Sequence, residues 1–434
     1  MTRKNLLRGL PAERRALLRE LGTLADQRGL PIYLVGGVVR DLLLGRENWD
    51  LDVTVEGDGI AFARFVADRY GAGVAFFERF ATARLVLPDG LKLDIASTRR
   101  ESYAKPAALP DVAPAALKED LYRRDFTINA MAIQLNPVGF GRLYDPYGGR
   151  HDLKARTIRV LHEGSFIDDP TRIFRAIRFT ERFGFRLEPV TGRLLRRAAA
   201  TNIVTSLSGP RLCNEILLLM NERDPDRTTE TLGRLKLLRF LHPRLRYGKQ
   251  VKRLFTVLPR TLDWWRKHCS EVPVDQPLSY LMALLSDSGP TVIRSVIQRL
   301  QLSNAQSQAV EWAGQRTSRM TRELMRRTEM RPARVHRLLM AMPVEAVVLA
   351  FAKSRVTKKH ESVRCFQRRL LRFVKRDRHV SIAVRGDDLK RFGLAPGPRF
   401  KKILDRLLDA RINGEVKTEA QERDMARRMA MLSA

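Results

Sequence analysis

Tyr33-Leu-Val-Gly-Gly-Val-Val-Arg-Asp41, followed within a dozen residues by Asp50-Leu-Asp52, decides how the first third of this chain reads. The order is a short apolar run, two glycines, a segment carrying Arg40 that stops at Gly45, and then a D-x-D on a second strand. Glycine lets backbone N–H groups approach a phosphate closely, and a helix start adds a favourable dipole. Side chains alternate along a strand, so Asp50 and Asp52 share one face while Leu51 turns into the core. Two hard oxygen ligands converging on one place suit Mg2+. Singly, a Gly-Gly is usually a tight turn and a D-x-D a solvated strand edge. In this order they form a holder for a nucleoside triphosphate and its metals.

This sequence of elements resembles the nucleotidyltransferase head of the polymerase beta superfamily, a mixed α/β fold. At 434 residues, with 44% hydrophobic and 29% charged residues, the chain reads as globular with more than one domain. Its formal charge of +32, from 80 Lys and Arg against 48 Asp and Glu, implies a polyanionic partner. A membrane is the weakest such partner, because the apolar run from Leu338 to Ala352 is broken by Pro343 and Glu345. The start of the chain reads as an amphipathic helix through Leu6, Leu10, Leu17, Leu18 and Leu21, without a secretion signal. Cys213, Cys269 and Cys365 have neither metal nor disulfide spacing, which fits a reducing cytoplasm.

Up to about Arg156 the pattern is mixed α/β. A helix is expected from Ile60 to Tyr70, then a hairpin in which Ala83–Leu87 turns through Pro88-Asp89-Gly90 into Leu91–Ile95. On its second strand Leu91, Leu93 and Ile95 take one face and Lys92 and Asp94 the other, making Asp94 a candidate third catalytic carboxylate beside Asp50 and Asp52. The stretch from Glu101 to Lys118, with Pro106, Pro110 and Pro114, reads as a loop. His151-Asp152 reads as a helix start. Beyond Ile158 the periodicity is almost wholly helical, with breaks near Asn221–Pro225 and before Val380.

Asp168-Asp-Pro-Thr-Arg-Ile-Phe-Arg-Ala-Ile-Arg-Phe179 has a helix N-terminus signature, with Asp169 at the cap and Pro170 first in the helix. At a hundred degrees per residue, Arg172, Arg175, Arg178 and Arg182 share one face, opposite Ile173 and Ile177. Four arginines together call for an anion, and a triphosphate with an RNA end would supply it. Asp169 can serve simply as the cap. It can also accept from an exocyclic amine while Arg172, one turn along, donates to a ring nitrogen. Cytosine and adenine present that amine beside an unprotonated ring nitrogen, whereas uracil and guanine present the reversed pair. Such a reader would take CTP and ATP and reject UTP and GTP.

Gly36-Gly37-x-x-Arg40-Asp41, Asp50-x-Asp52, Arg123-Arg-Asp-Phe-Thr-Ile-Asn-Ala130, Asp168-Asp-x-x-Arg172 and Ser208-Gly-Pro-Arg-Leu-Cys-Asn-Glu215 occur in order. With the segment Gly386 to Pro398, they resemble the motifs of class II tRNA nucleotidyltransferases and bacterial poly(A) polymerases. The resemblance implies a nucleotidyltransferase head over residues 1–156, then an all-α neck (157–225), body (226–379) and tail (380–434). It implies a two-metal Mg2+ site on Asp50 and Asp52, with Asp94 assisting. Nucleotide contacts would come from Gly36, Gly37, Arg40, Arg124, Asp169, Arg172, Arg175 and Arg178. The implied reaction adds all or part of the 3′-terminal CCA to tRNA from CTP or ATP without a template, releasing pyrophosphate. The alternative is a poly(A) polymerase. The tRNA acceptor arm would be gripped by the basic C-terminal half, where few acids balance the stretch from Lys353 to Arg378, notably Lys358, Lys359, Arg368 and Arg369, and by Arg399, Lys401 and Lys402 after a Gly/Pro turn. Asp168 stands where CCA-adding members often have Glu.

Overall fold

The computed structural model describes residues 6–47, 50–108, 110–357 and 360–431. The chain divides into two compact units, residues 1–215 and 216–434. The first is built on strands β1 (Ile32–Val35), β2 (Leu51–Val55), β3 (Gly73–Phe77), β4 (Thr82–Val86), β5 (Lys92–Ser97), β6 (Arg99–Ser102), β7 (Asp111–Pro114), β8 (Ala132–Gln134) and β9 (Leu143–Tyr144). Seven of them form one mixed sheet in the order β3-β4-β5-β2-β1-β8-β9.

The pairing follows from the residues. The Asp89-Gly90 turn closes β4 onto β5 antiparallel, with Leu85 opposite Leu93 and Arg84 opposite Asp94. β2 and β5 run parallel, so Asp52 and Asp94 are register partners, as are Leu51 and Leu93. Leu51, Val53, Leu93 and Ile95 are all buried on the other face, where β4 and β5 pack against the helix Gly59–Tyr70. The expected helix and hairpin are both present, each within a residue or two of its expected ends.

The stretch from Glu101 to Lys118 differs from the expected loop. β6 and β7 form a separate two-stranded antiparallel ribbon, from Arg99 opposite Pro114 to Ser102 opposite Asp111. In a two-stranded ribbon each strand has an open edge, so Pro114 is tolerated without a ladder N–H. A short helix, Leu117–Tyr122, follows and packs Leu117 and Leu121 on Val35, Ala130 and Ala132. His151 and Asp152 lie in the helix Gly149–Lys154, where Asp152 is buried and accepts from Thr127 Oγ1 at 2.6 Å.

The second unit is helical. Its centre is the helix Val344–Val356, buried nearly all round by the helices Lys249–His268, Gln276–Leu284, Gln315–Leu324 and His360–Lys375. Pro343 caps that helix, and the chain turns through 118° between it and the preceding helix Pro332–Met340. No single helix among the described residues is long and apolar enough to cross a membrane. Val384, Leu389, Ile403, Leu407 and Ala426 gather into a small core of their own near the end of the chain.

Candidate active site

Gly36 sits at a crowded point of the first unit. It ends the β1 turn at φ 80°, ψ −141°, a conformation open to glycine alone, and caps the helix Gly37–Leu43. A Cβ there would lie 3.3 Å from both Asp52 Oδ2 and Arg124 Nη1. Turn, carboxylate and guanidinium therefore surround one point. Gly36, Gly37, Arg40, Asp52, Arg124, Asp169, Arg172 and Arg175 all line one cavity of about 360 Å3.

Burial raises the Asp52 carboxyl to about 6; Asp94 and Asp50 add to the rise, while Arg124 and Arg84 oppose it. Asp50 lies exposed one residue ahead of β2 rather than within the strand. Asp94, beside Asp52 on β5, is chelated by Arg84 through two 2.8 Å hydrogen bonds, so its oxygens are engaged from the neighbouring strand. Neither Asp50 nor Asp94 is on the cavity wall. Among the described residues, no cluster of three or more His, Cys, Asp or Glu is arranged to cage a metal alone. Asp50 and Asp52 nonetheless fit Mg2+, which commonly takes one or two carboxylates and completes its shell with water and substrate phosphate.

The predicted arginines are organised by acids that the sequence reading did not pair with them. Arg40, buried, donates Nε and Nη2 to Asp41 at 2.9 and 2.7 Å and Nη1 to Asn129 Oδ1 at 2.7 Å. Asn129 Nδ2 in turn donates to Asp125 Oδ1 at 2.9 Å, and Arg175 closes the relay on Asp125 Oδ2. Arg124 donates Nη2 to Asp120 at 3.0 Å, while its Nε is buried with no partner among the described residues. An orphaned guanidinium nitrogen on this wall suits an incoming phosphate.

The arginine face of the helix Thr171–Phe183 is thus answered partly by the protein itself. Arg178 is not on the cavity wall; its Nη2 lies 3.9 Å from Glu215, whose carboxyl is raised by burial against the pull of Arg175 and Arg178. A buried cation is commonly matched by an internal acid of this kind.

Asp169 sits one position before Pro170, whose φ of −63° and ψ of −13° are already helical. Its Oδ1 accepts from Thr171 N at 3.0 Å and Thr171 Oγ1 at 2.6 Å, which is the expected cap. Arg172 is buried and oriented by Ser165 Oγ and the Arg123 carbonyl, both at 2.6 Å. Sequence reasoning missed Tyr103, Glu101 and Arg211. Tyr103 and Glu101 line the same cavity, with Tyr103 Oη donating to Glu101 Oε2 at 2.9 Å. The only sequence signals were an aromatic two residues after an acid in the ribbon and, for Arg211, its place in the Ser208–Glu215 motif.

In the second unit the basic residues fare unequally. Lys358 and Lys359 lie outside the described residues. Arg368, Arg399, Lys401 and Lys402 are exposed, the last three in the first turn of the helix Pro398–Asn413. Arg369 is instead committed to three carbonyls, of Leu324, Arg326 and Thr328, at 2.7 to 2.8 Å. It closes off the end of the helix Gln315–Leu324. Lys353, part of the same basic stretch, points inward to Ser318 Oγ at 2.9 Å.

A mixed sheet with a glycine turn, an adjoining aspartate and an arginine-rich helix on one cavity is the architecture of a nucleotidyltransferase head. Residues 32–159 match the family model described as the poly A polymerase head domain. The chain is 41% identical over 427 residues to the A-adding tRNA nucleotidyltransferase of Geobacter sulfurreducens, covering 98% of this chain and 48% of that protein. It is 36% identical over 223 residues to the CC-adding tRNA nucleotidyltransferase of Deinococcus radiodurans, covering 51% and 58% of the two. The structure of the Thermotoga maritima CCA-adding enzyme complexed with tRNA matches with a TM-score of 0.73 at 31% identity, covering 98% of this chain and 97% of that one. This chain belongs to the tRNA nucleotidyltransferase family. It spans about half the length of the Geobacter sulfurreducens relative.

Proposed function

We propose that this protein adds nucleotides of the terminal CCA to the 3′ end of tRNA without a nucleic-acid template, and that its own step is addition of the final A from ATP. The observation that carries the reading is one cavity lined by the Gly36 turn, Asp52 and the base-reading pair Asp169 and Arg172. Alignment of 98% of the chain with an A-adding relative supports the subtype.

In this reading Asp50 and Asp52 hold Mg2+, with Asp94 alongside. When bound, the cation supplies Lewis-acid activation of the attacking 3′-hydroxyl and neutralises charge on the triphosphate. The backbone at Gly36 and Gly37 receives a phosphate, and the Arg124 guanidinium takes up charge as pyrophosphate forms. Arg40, locked to Asp41 and Asn129, presents a fixed positive field to the same phosphates. Asp169 accepts from the adenine amine and Arg172 donates to its ring nitrogen, so that the protein substitutes for a template base. Fixed positions of these groups supply much of the rate.

We assign the head, neck, body and tail to residues 1–156, 157–225, 226–379 and 380–434; the separate small core around Leu389 and Leu407 supports the last of these. Exposed Arg368, Arg399, Lys401 and Lys402 are assigned to tRNA phosphates.

The test is incorporation of each nucleotide, singly and in pairs, into tRNA transcripts ending before CCA, after C and after CC, beside a non-tRNA oligoribonucleotide. A single A added only to the transcript ending in CC is the expected result. Growth from the earlier ends would make the protein CC- or CCA-adding, and long A tails on any RNA would make it a poly(A) polymerase.

A further inference from the structure

Arg211, on the helix Gly209–Met220, bridges two parts of the first unit that lie far apart in sequence. Its Nη2 donates to Asp169 Oδ1 at 2.7 Å, and its Nη1 donates to the Ala107 carbonyl at 2.9 Å. Ala107 belongs to the tip of the β6–β7 ribbon. It is buried and held at φ +61°, a left-handed conformation that an alanine keeps only under constraint. Its N–H donates to the Asp168 carbonyl at 3.3 Å. The tip is therefore fastened to the start of the base-reading helix from both sides, by a backbone hydrogen bond and by Arg211.

The consequences for Asp169 are specific. With Thr171 N and Thr171 Oγ1, Arg211 brings the donors on Oδ1 to three. Oδ2 accepts no hydrogen bond from any other described residue, and Asp169 lines the cavity. One oxygen is thus saturated and fixes the rotation of the carboxylate, and the other is left to meet a base. The ribbon also supplies a wall of this cavity through Tyr103 and Glu101. Glu101 in turn accepts from Arg123 Nη1 at 2.8 Å, so the ribbon is secured along its first strand as well as at its tip.

We propose that Arg211 is a positioning residue for nucleotide discrimination: it aims Asp169 Oδ2 at the base and holds the ribbon tip, so that the acceptor and the Tyr103 wall keep one geometry. The inference rests on the reading of Asp169 and Arg172 as the base reader. Losing Arg211 frees the carboxylate to rotate and the tip to lift, which weakens preference among bases more than it weakens triphosphate binding.

The experiment compares the full-length chain with Arg211→Ala and Arg211→Gln. Displacement of a fluorescent nucleotide by ATP, CTP, GTP and UTP measures discrimination, elastase cleavage after Ala107 or Ala108 measures tip docking, and a thermal melt monitors folding. In the alanine variant the preference for ATP over GTP should fall about tenfold or more, the size of one lost charge-assisted contact. Cleavage at the tip should accelerate, with the triphosphate contribution to affinity retained. Should the alanine variant melt early, the glutamine variant, which keeps the length of the side chain but not its paired donors, gives the same readout. Discrimination by wild type that persists unchanged in a folded variant overturns the inference and leaves the proposed function standing. A wild type that does not distinguish the four nucleotides overturns the base-reading assignment and this inference with it.

Discussion

Arg175 Nη2 lies 2.5 Å from Asp125 Oδ2, joining the helix Thr171–Phe183 to the segment that follows the Leu117–Tyr122 helix, fifty residues earlier. Through Asn129 the same aspartate is coupled to Arg40, so the helix behind the glycine turn and the helix Thr171–Phe183 share one hydrogen-bonded relay. Arg40, Asp41, Asp125 and Asn129 are buried and Arg175 is half-buried, and each polar group of the relay is satisfied by the next.

Replacing Asp125 by Asn should therefore cost about 3–5 kcal/mol of stability, the penalty for stranding a buried charge, as measured by denaturant unfolding. Burial acts to raise the Asp125 carboxyl, but Arg175 and the Asn129 amide outweigh it and hold it at about 2. A carboxyl depressed on folding stabilises the protein above its unfolded pKa. That contribution, about 2–3 kcal/mol, should be complete above pH 4 and be lost as the pH falls toward 2, and the Asn variant should lack this part of the acid slope.

Gly36→Ala should abolish most activity without unfolding the protein. A methyl at this position meets Asp52 and Arg124 at 3.3 Å and sits at a φ that alanine avoids. The backbone strain is worth about 1–3 kcal/mol, whereas displacement of the carboxylate should lower turnover about a hundredfold, measured as single-nucleotide incorporation against melting temperature.

Asp52→Ala should reduce incorporation by about a thousandfold or more while tRNA affinity stays within about twofold, because the variant removes a proposed metal ligand and leaves the basic second unit intact. Filter binding beside the incorporation assay separates the two effects. Normal turnover in this variant would refute the assignment of Asp52.

Lys353 offers an independent check in the second unit. Its ammonium is buried among Ser318 Oγ and the carbonyls of Ala313, Gly314 and Ser286, and burial lowers its pKa to about 8, against a small opposing pull from Asp287. Between about pH 8 and 10.5 the unfolded chain binds the proton that the folded protein has released, so stability should rise with pH across that window by about 1–3 kcal/mol. Lys353→Met should flatten this rise, read from denaturant midpoints at pH 7.5 and 10.

Much of the site was legible because its signals are local. Gly36, Asp52 and the cap at Asp169 each depend on residues within a few positions, where strand alternation and helix-start chemistry suffice. The arginine face of the Thr171–Phe183 helix was also visible, and its demand for an anion was real. What periodicity cannot convey is which anion answers. Asp125, Glu215 and a prospective triphosphate satisfy the same electrostatic need, and the choice among them depends on contacts between residues far apart in sequence.

The sequence by itself determined the mixed α/β head, the hairpin of β4 and β5, the glycine turn and the helical character of the second half, since these follow from turn chemistry and side-chain period. Only the tertiary structure decided that Asp94 is chelated by Arg84, that Arg178 turns to Glu215, that Arg369 closes a helix end and that Arg211 joins Asp169 to the ribbon tip. A charged side chain carries the same sequence signal whether it faces solvent, substrate or a buried partner. Its role is settled by desolvation and by the nearest opposite charge, and both are properties of the packed chain.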